Sequence, residues 1–330
     1  MLAGLGAYVP PRVVSNLELC DRLDTSDEWI RSRIGVSSRR IAEGEATVDL
    51  AVRAGQRALA AADRRDIGAV ILATTSADRL CPAGAPEVAS RLGLGSVAAF
   101  DIAAGCSGFV YGLAVASSLV TSGAFGSVLL IASEAFTALV DPSDRLTAVI
   151  FGDGAGAVVL TAGHAGQPGA LGPFDLGSDG TNADLVHIPG GGTRAKKKAQ
   201  APTTDSAPFL RMNGPQVFEL AVTNMSRSVR RVLAQANCSA ADLDAVIAHQ
   251  ANQRILDAVA DGLGLGAHQM LSNLTHVGNT AAASVPLLMA QAAASGALCA
   301  GQRVVLASFG AGLTWASTVL TWPKVHSVVE

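Results

Sequence analysis

The sequence predicts an α/β protein of packed sheets and helices, built from two similar halves. Strand-like and helix-like segments alternate along most of the chain, which is the pattern of a layered α/β fold. A stretch of the first half is also similar to a stretch of the second half. The 330 residues are enough for each half to bury a core of its own.

The individual elements follow from these patterns. The N-terminal stretch "MLAGLGAYVPPRVV" reaches two prolines quickly and predicts a first strand followed by a turn. Helices are predicted from the "GCSG" motif to about residue 121, and across 214–237. The other periodic segments are "DIGAVILATTS" (66–76), "VASRLGLG" (88–95), "SVAAFDIAAG" (96–105), "SVLLIASE" (127–134), "DGAGAVVLTA" (153–162), "DAVIAHQ" (244–250) and "QRVVLASFG" (302–310).

The two similar stretches align at one spacing along the chain. "GCSGFVYGLAVASSLVTSGAFGSVLLIAS" resembles "GNTAAASVPLLMAQAAASGALCAGQRVVLAS", with Gly105 and Gly278 separated by 173 positions (278 − 105). This register makes Cys106 and Asn279 equivalent points, each after a glycine at a helix start, and predicts that both face one cavity. We therefore expect one half over residues 1–165, carrying the cysteine, and a second over 166–330, carrying His249 and Asn279.

Composition excludes several classes of protein. A net charge of −3 gives no reason to expect nucleic-acid binding. No run of 18 uncharged apolar residues is present, which excludes a predicted membrane span. With 49% hydrophobic residues and a mean hydropathy of +0.36, much of the chain is expected to be buried, including at a large subunit interface. The low-apolar segment 190–208 is expected to be a mobile surface loop.

The five cysteines (20, 81, 106, 238 and 299) are scattered and form no CxxC pair. This argues against a disulfide framework and against a structural zinc site. The N-terminus has no basic region of the kind that begins a signal peptide. The expected compartment is therefore a reducing cytoplasm, and no metal is expected.

Cys106 is the first candidate catalytic residue. It lies between Gly105 and Ser107 after an apolar run, in a strand–GCSG–helix context. A helix N-terminus can lower the pKa of a thiol below its usual value of about 8.5, which would favour a nucleophile. The structural alternative is a small buried hydrophobic residue.

Two further polar residues stand at comparable places. His249 ends an apolar strand, the end at which α/β proteins place their chemistry, although a hydrogen-bonded core histidine is the alternative. Asn279 precedes a helix in "THVGNTAAASV", where it is either a plain N-cap or a neutral donor to a carbonyl oxygen.

The chain resembles the β-ketoacyl-acyl-carrier-protein synthase III family of the thiolase superfamily. The matching motifs span nearly the whole chain in the family's order. They are "TSDEWIRSRIG" (25–35), "DIAAGCSGF" (101–109), "DPSDR" (141–145), "FGDGAGA" (151–157), "HQANQRI" (249–255), "GNTAAASVP" (278–286) and "FGAGLTW" (309–315).

The resemblance implies a thiolase-like, five-layered αβαβα fold, a homodimer and a catalytic triad of Cys106, His249 and Asn279. It also implies an oxyanion hole formed by the backbone N–H groups of Cys106 and Ala311. No cofactor is implied, because acyl-coenzyme A (acyl-CoA) is a substrate. The expected reaction is a decarboxylating condensation. Cys106 takes the acyl group from CoA, and His249 and Asn279 stabilise the enolate formed from a malonyl thioester on an acyl-carrier protein or on CoA.

A CoA site is implied residue by residue. Trp29 and Arg145 resemble a pair that sandwiches adenine, and indole and guanidinium planes stack well on a flat base. The alternatives are an interface anchor for Trp29 and an ordinary surface charge for Arg145. The other residues implied for CoA are Thr25, Arg33, Gly214, Phe218, Asn252, Arg254 and Phe309.

Two departures from the family pattern bear on substrates. Glu219, Asp261 and Gly262 stand where the family commonly presents lysines to an acidic carrier protein, so the attraction to such a partner is expected to be weaker. Cys81 stands where some members place a phenylalanine that closes the partner's acyl pocket. A pocket larger than acetyl needs is therefore expected, unless Leu80 or Leu139 fills the same space.

Three functions remain open from the sequence. The first is the condensing enzyme that primes fatty-acid or polyketide synthesis, which Asn279 favours because simple acyl transfer needs no enolate. The second is a related acyltransferase acting on an oxygen, nitrogen or small-molecule carbon nucleophile. The third is an inactive scaffold, against which the intact triad argues.

Overall fold

The structure, a computed structural model, describes residues 1–198 and 208–329. Its strands are β1 (Leu2–Tyr8), β2 (Val13–Ser15), β3 (Ser38–Arg40), β4 (Ala69–Ala73), β5 (Ala98–Ile102), β6 (Ser127–Glu134), β7 (Gly154–Thr161), β8 (Phe174–Ser178), β9 (Val186–His187), β10 (Arg211–Met212), β11 (Ala245–Ala248), β12 (Arg303–Gly310), β13 (Thr314–Thr321) and β14 (Ser327–Val328). Its α-helices are α1 (Asn16–Cys20), α2 (Asp27–Ile34), α3 (Thr47–Ala62), α4 (Ala85–Arg91), α5 (Gly108–Thr121), α6 (Thr193–Lys198), α7 (Gly214–Gln235), α8 (Gln253–Leu263), α9 (Leu274–Val277) and α10 (Ser284–Ser295).

Two large sheets form the frame of the molecule. The first has the strand order β14-β1-β7-β6-β4-β5, and the second has the order β11-β12-β13-β8. Every residue of β4, β6 and β11 is buried, as expected for strands covered on both faces. This double burial accounts for the high hydropathy of the sequence.

The sheets and helices stack in five layers. Helices α5 and α10 lie in one hydrophobic cluster with residues from both large sheets, which places them in the middle. Helices α3 and α4 pack on the outer face of the first sheet. Helices α7 and α8 pack on the outer face of the second. The predicted five-layered αβαβα fold is confirmed.

The two sheets share the same order of strand, helix and strand. The spacing between equivalent elements differs from the 173 positions that the sequence comparison indicated. Strand β11, helix α10 and strand β12 begin 176 positions after β4, α5 and β6 (245 − 69, 284 − 108 and 303 − 127). By this spacing Cys106 corresponds to Ala282, so the predicted equivalence of Cys106 and Asn279 is wrong. The spacing of 173 pairs Gly105 with Gly278, but Gly105 lies three residues before its helix begins and Gly278 lies six residues before (108 − 105 and 284 − 278).

The boundary predicted at 165/166 falls in the connection 162–173 between β7 and β8, and it stays a prediction. The C-terminal strand β14 pairs with β1 and so returns to the first sheet. Of the predicted mobile loop, 193–198 forms α6, and residues 199–207 lie outside the described part of the chain. Within the described ranges, no helix has the length and apolar character to cross a membrane.

Candidate active site

A cavity of about 880 Å³ lies between the two halves and contains the predicted catalytic side chains. Arg33, Leu146 and Arg254 in the cavity wall are exposed, whereas His249 and Asn279 are only 3% and 5% exposed. We call the cavity the tunnel, the part lined by exposed residues its mouth, and the part lined by Cys106, His249 and Asn279 its base. Most of its wall is apolar, as in sites that hold a small organic molecule.

Cys106 lies at the base of this tunnel. It follows β5 in a short 3-10 helix, Gly105–Ser107, immediately before α5 begins. Its half-buried side chain packs against the cluster that contains Phe136 and Phe151. Burial and the negative charge of Glu134 raise the pKa of the Cys106 thiol to about 12. The lowered pKa that the helix start suggested is therefore corrected, and the resting thiol is protonated.

The backbone around Cys106 touches the backbone at the end of β12. A Cβ atom on Gly310 would lie 2.4 Å from the Cys106 nitrogen, and one on Gly105 would lie 2.8 Å from the Ala311 nitrogen. Gly105 also has a φ of +54°, a conformation that favours glycine. The two glycines thus let the backbone segments that carry Cys106 and Ala311 approach closely. The oxyanion hole formed by their two N–H groups stays a prediction.

Replacing Gly310 by alanine is expected to lower the rate of Cys106 acylation by about a hundredfold or more, because the new Cβ must displace the Cys106 nitrogen. Overpacking at a backbone contact is also expected to cost about 1–3 kcal/mol in the free energy of unfolding. The matched control is Gly126→Ala, where an added Cβ meets nothing within 4 Å. Equal acylation rates in the two variants, measured by intact mass, would contradict this account.

His249 directly follows β11 and is fixed on two sides. Its backbone N–H donates to the Ala307 carbonyl at 2.8 Å, and its Nδ1 lies 2.7 Å from the Ser284 hydroxyl. Burial lowers the pKa of the His249 imidazole to about 4, an effect that a hydrogen bond with the Ala281 backbone partly offsets. The ring is therefore neutral at physiological pH, and it can act as a donor without a positive charge.

Asn279 lies in the turn before α10. Its Oδ1 accepts from the Ala281 N–H at 2.9 Å, so the Nδ2 group is the part of the amide left to face the tunnel. The Nδ2 nitrogen lies 3.4 Å from the Ala251 carbonyl oxygen, a long hydrogen bond. The backbone of Asn279 is bridged to Phe151, which ties the turn to the first half. This arrangement makes Asn279 a neutral donor.

Glu134 is a buried carboxyl group that the sequence analysis did not single out as a site residue. It is fully buried at the end of β6, and it accepts hydrogen bonds from the Thr75 N–H at 3.0 Å and the Ser76 hydroxyl at 2.6 Å. Burial raises the pKa of Glu134 to about 7, against the effect of these hydrogen bonds. Because Thr75 lines the tunnel, Glu134 holds part of its wall in place.

The residues implied for CoA divide into two groups. Trp29 carries the Arg145 guanidinium over its ring at 5.4 Å, and Arg145 also pairs with Asp24 at 3.2 Å. Arg145 and Thr25 do not line the tunnel directly, and the Thr25 hydroxyl is buried without a hydrogen-bond partner. The others line the tunnel: Trp29, Arg33, Gly214, Phe218, Asn252, Arg254 and Phe309.

The residues implied for the acyl pocket do not line this tunnel. Leu80 is 79% exposed, and Cys81 is also exposed on the loop before α4. Because the prediction concerns the pocket of a partner subunit, it stays a prediction for these two residues. Leu139 packs beside Phe136 in a hydrophobic cluster and is not part of the tunnel wall.

Several wall residues were missed by the sequence analysis because they are ordinary residues, most of them apolar, on separate elements. Phe136 and Phe151 form a ring pair, with centroids 4.7 Å apart, in the cluster against which Cys106 packs. No sequence signal links them before the fold is known. The remaining missed wall residues are Ile34, Thr75, Asp144, Leu146, Thr147, Ile150, Val186, His187, Ile188, Leu210, Met212, Pro215, Val217, Ala221, Met225, Ala251, Ile255 and Gly310.

The described residues contain no group of three or more His, Cys, Asp or Glu side chains that could hold a metal ion. The expectation that no cofactor is needed stays a prediction. The chemistry available in the tunnel is that of a thiol, two neutral side-chain donors and two backbone N–H groups.

The five-layered fold and this tunnel define a thiolase-fold enzyme with a cysteine at the base of its site. Models of the 3-oxoacyl-[acyl-carrier-protein] synthase III family match residues 100–180 and, for its C-terminal part, residues 233–322. The chain belongs to the 3-oxoacyl-[acyl-carrier-protein] synthase III family. It is a condensing enzyme of the acyltransferase class, and the predicted decarboxylating condensation that primes fatty-acid or polyketide synthesis is confirmed for it.

The similar proteins include synthases III and a polyketide priming ketosynthase. The chain is 52% identical to beta-ketoacyl-[acyl-carrier-protein] synthase III 5 of Streptomyces coelicolor, over 99% of this chain and 98% of the relative. It is 49% identical to the solved 3-oxoacyl-(acyl carrier protein) synthase III of Pseudomonas aeruginosa PAO1, with a TM-score of 0.92 and 98% of each chain covered. The priming β-ketosynthase of the R1128 polyketide pathway is 35% identical, with a TM-score of 0.91 over 98% of this chain and 96% of that one.

Proposed function

We propose that the enzyme transfers an acyl group from CoA to Cys106 and condenses it with a malonyl thioester to give a 3-oxoacyl thioester and carbon dioxide. The observation that carries this proposal is that Cys106, His249 and Asn279 line the base of one tunnel. The tunnel mouth carries an indole and arginines suited to a nucleotide.

In the first half-reaction, the sulfur of Cys106 attacks the thioester carbonyl of acyl-CoA. The carbonyl oxygen becomes negative and accepts from the N–H groups of Cys106 and Ala311, which the two close glycines support. The bond to the CoA sulfur breaks, and the thiol proton passes to that sulfur. The products are acyl-Cys106 and free CoA, with no base consumed. A high thiol pKa is compatible with this exchange because the proton has a final acceptor.

In the second half-reaction, a malonyl thioester enters the emptied tunnel. His249 and Asn279 donate to its thioester oxygen while the carboxylate leaves as carbon dioxide, and the enolate that remains carries the negative charge on that oxygen. The enolate carbon attacks the acyl carbonyl, and the bond to the sulfur of Cys106 breaks. One proton returns the thiolate of Cys106 to the thiol. Neutral donors suit this step because a carboxylate in either place would repel the enolate.

CoA is proposed to lie along the tunnel with its adenine at Trp29 and Arg145. The guanidinium already lies over the indole at 5.4 Å, so a base can insert if the two planes separate. Arg33 and Arg254 are exposed at the mouth, where they can bind phosphate oxygens. The apolar part of the tunnel wall suits the pantetheine arm.

A homodimer is proposed through the free edge of the first sheet. Strand β5 pairs with β4 on one side only among the described strands, and its Ala98 and Phe100 are exposed. A bare edge of this kind is a template for pairing with a second copy. The exposed loop 77–83, with Leu80 and Cys81, lies just before α4, which packs against β5. If β5 pairs with a second copy, this loop lies beside the partner subunit. This placement supports the proposal that the loop reaches the partner's acyl pocket.

The acceptor is proposed to be malonyl-acyl-carrier protein or malonyl-CoA. Arg254 at the mouth is followed on α8 by the exposed Asp257 and Asp261, and Glu219 is exposed on the neighbouring α7. These carboxylates weaken the attraction to an acidic carrier. The test is a panel of acyl-CoA donors with malonyl-CoA and malonyl-carrier protein as acceptors. The proposal requires carbon dioxide release and a 3-oxoacyl product with at least one acceptor, and acyl transfer without either would refute it.

Replacing Cys81 by phenylalanine is expected to shift the preference of the enzyme toward acetyl-CoA. Each buried methylene contributes about 0.8 kcal/mol, so two extra carbons in an open pocket favour butyryl over acetyl by about tenfold or more in the native enzyme. A ring at position 81 would fill that space. The measurement is kcat/KM for acetyl-, butyryl-, isobutyryl- and hexanoyl-CoA in both proteins. A native preference for acetyl, or an unchanged profile, would show that other residues close the pocket.

A further inference from the structure

The hydroxyl of Ser284 is placed between the backbone and the ring of the catalytic histidine. Ser284 is the first residue of α10 and is only 1% exposed. Its Oγ lies 2.7 Å from Nδ1 of His249 and accepts from the backbone N–H of Gln250 at 3.3 Å. The serine therefore contacts the residue that follows His249 as well as the ring itself.

Two directions of the Ser284–His249 hydrogen bond fit these partners. The Gln250 N–H can only donate, so it takes a lone pair of Oγ. A hydroxyl oxygen accepts up to two hydrogen bonds, so Nδ1 of His249, at 2.7 Å, is either the acceptor of the Ser284 O–H or a second donor to Oγ. When the O–H of Ser284 donates to Nδ1, the ring proton of a neutral imidazole lies on Nε2, where it can donate to the malonyl oxygen.

We propose that Ser284 is a positioning residue that holds His249 as the Nε2–H tautomer, with its donor directed into the tunnel. A histidine with the proton on Nδ1 would present a lone pair to the malonyl oxygen and repel it. The inference rests on the proposed function, because it assigns a tautomer to the donor role of His249. Neutrality of the ring, which its lowered pKa supports, is needed for the tautomer to matter.

The direct test needs no substitution. Protein labelled with ¹⁵N-histidine is examined by NMR, and the His249 signals are assigned by their loss in His249→Ala. The proposal requires a pyrrole-type, protonated Nε2 and a pyridine-type, hydrogen-bonded Nδ1 in the native enzyme. A protonated Nδ1 would overturn the proposal whatever the activity of any variant.

The functional test uses Ser284→Ala, with Ser284→Thr as the variant that keeps the hydroxyl. Ser284→Ala is expected to lower malonyl decarboxylation by roughly tenfold, the effect of losing one hydrogen bond to a buried ring, and to leave the rate of Cys106 acylation unchanged. Ser284→Thr is expected to recover most of the loss. The matched control is Ser228→Ala, a buried serine bonded to Ser317 away from the tunnel, which is expected to change neither rate.

The outcomes separate the two proposals. If Ser284→Ala decarboxylates as fast as the native enzyme while His249→Ala does not, the role of Ser284 is wrong and the proposed function stands. If His249→Ala itself decarboxylates normally, the proposed function fails. An equal loss in acylation and decarboxylation, shared by Ser228→Ala, would show a general structural effect and would also reject the positioning role.

Discussion

Replacing Cys106 by alanine is expected to abolish both the acyl-enzyme and the condensation. The thiol of Cys106 is the sulfur at the base of the tunnel, and Cys20, Cys81, Cys238 and Cys299 lie outside its wall. Alanine keeps the backbone N–H of the oxyanion hole, so the loss reports the nucleophile alone. Intact mass after mixing with acyl-CoA measures the first half-reaction, and release of a 3-oxoacyl product measures the whole.

Cys106→Ser is expected to be nearly as inactive, because an alcohol is a poorer nucleophile than a thiol at neutral pH. The matched control is Cys299→Ala, which removes an exposed cysteine and is expected to leave acylation unchanged. Acyl-enzyme formation by Cys106→Ala at the native rate, or its loss in Cys299→Ala, would show that the nucleophile is misassigned.

His249→Ala and Asn279→Ala are each expected to slow malonyl decarboxylation by about 10²–10³ and to leave acylation of Cys106 largely intact. Loss of one donor to a developing oxyanion typically has this effect. The two half-reactions are expected to respond differently because the oxyanion of the acylation step is held by the backbone N–H groups of Cys106 and Ala311 instead. Each half-reaction is measured separately, acylation by intact mass and decarboxylation by carbon dioxide release.

The control for this pair is His276→Ala, since His276 is exposed outside the tunnel. It is expected to change neither rate. A variant of His249 or Asn279 that decarboxylates normally but fails to form the acyl-enzyme would reverse the assigned roles.

Because the His249 pKa lies near 4, the pH profile of malonyl decarboxylation by the native enzyme is expected to show no inflection at the usual histidine pKa of about 6.5.

Much of the fold is readable from local patterns. The alternation of apolar runs predicts β4, β6 and β12 within a few residues, because these strands are buried and bounded by turn residues. Helix α3 was missed, although Val48, Ala51, Ala58 and Leu59 form a buried stripe at helical spacing. Strand β8 was also missed, because its exposed and half-buried residues show no clear alternation.

The site was predictable only in part. The motifs around Cys106, His249 and Asn279 place each residue at the end of an element, and the structure brings all three to one tunnel. The contacts that tune them come from distant residues of unremarkable type: Ser284 lies 35 positions from His249, and Gly310 is far from Cys106 in the chain. Burial by the whole fold also raises the thiol pKa, which a local helix-start argument cannot foresee.

The central claim is that one acyl group passes through Cys106 on its way to product. The most direct measurement mixes the enzyme with labelled acyl-CoA, removes free CoA, maps the label by peptide mass, and then adds malonyl-CoA or malonyl-carrier protein. The account predicts one acyl group on Cys106, and then loss of that group together with one carbon dioxide and one labelled 3-oxoacyl thioester. Label on any other residue, or carbon dioxide release that leaves acyl-Cys106 in place, would contradict it.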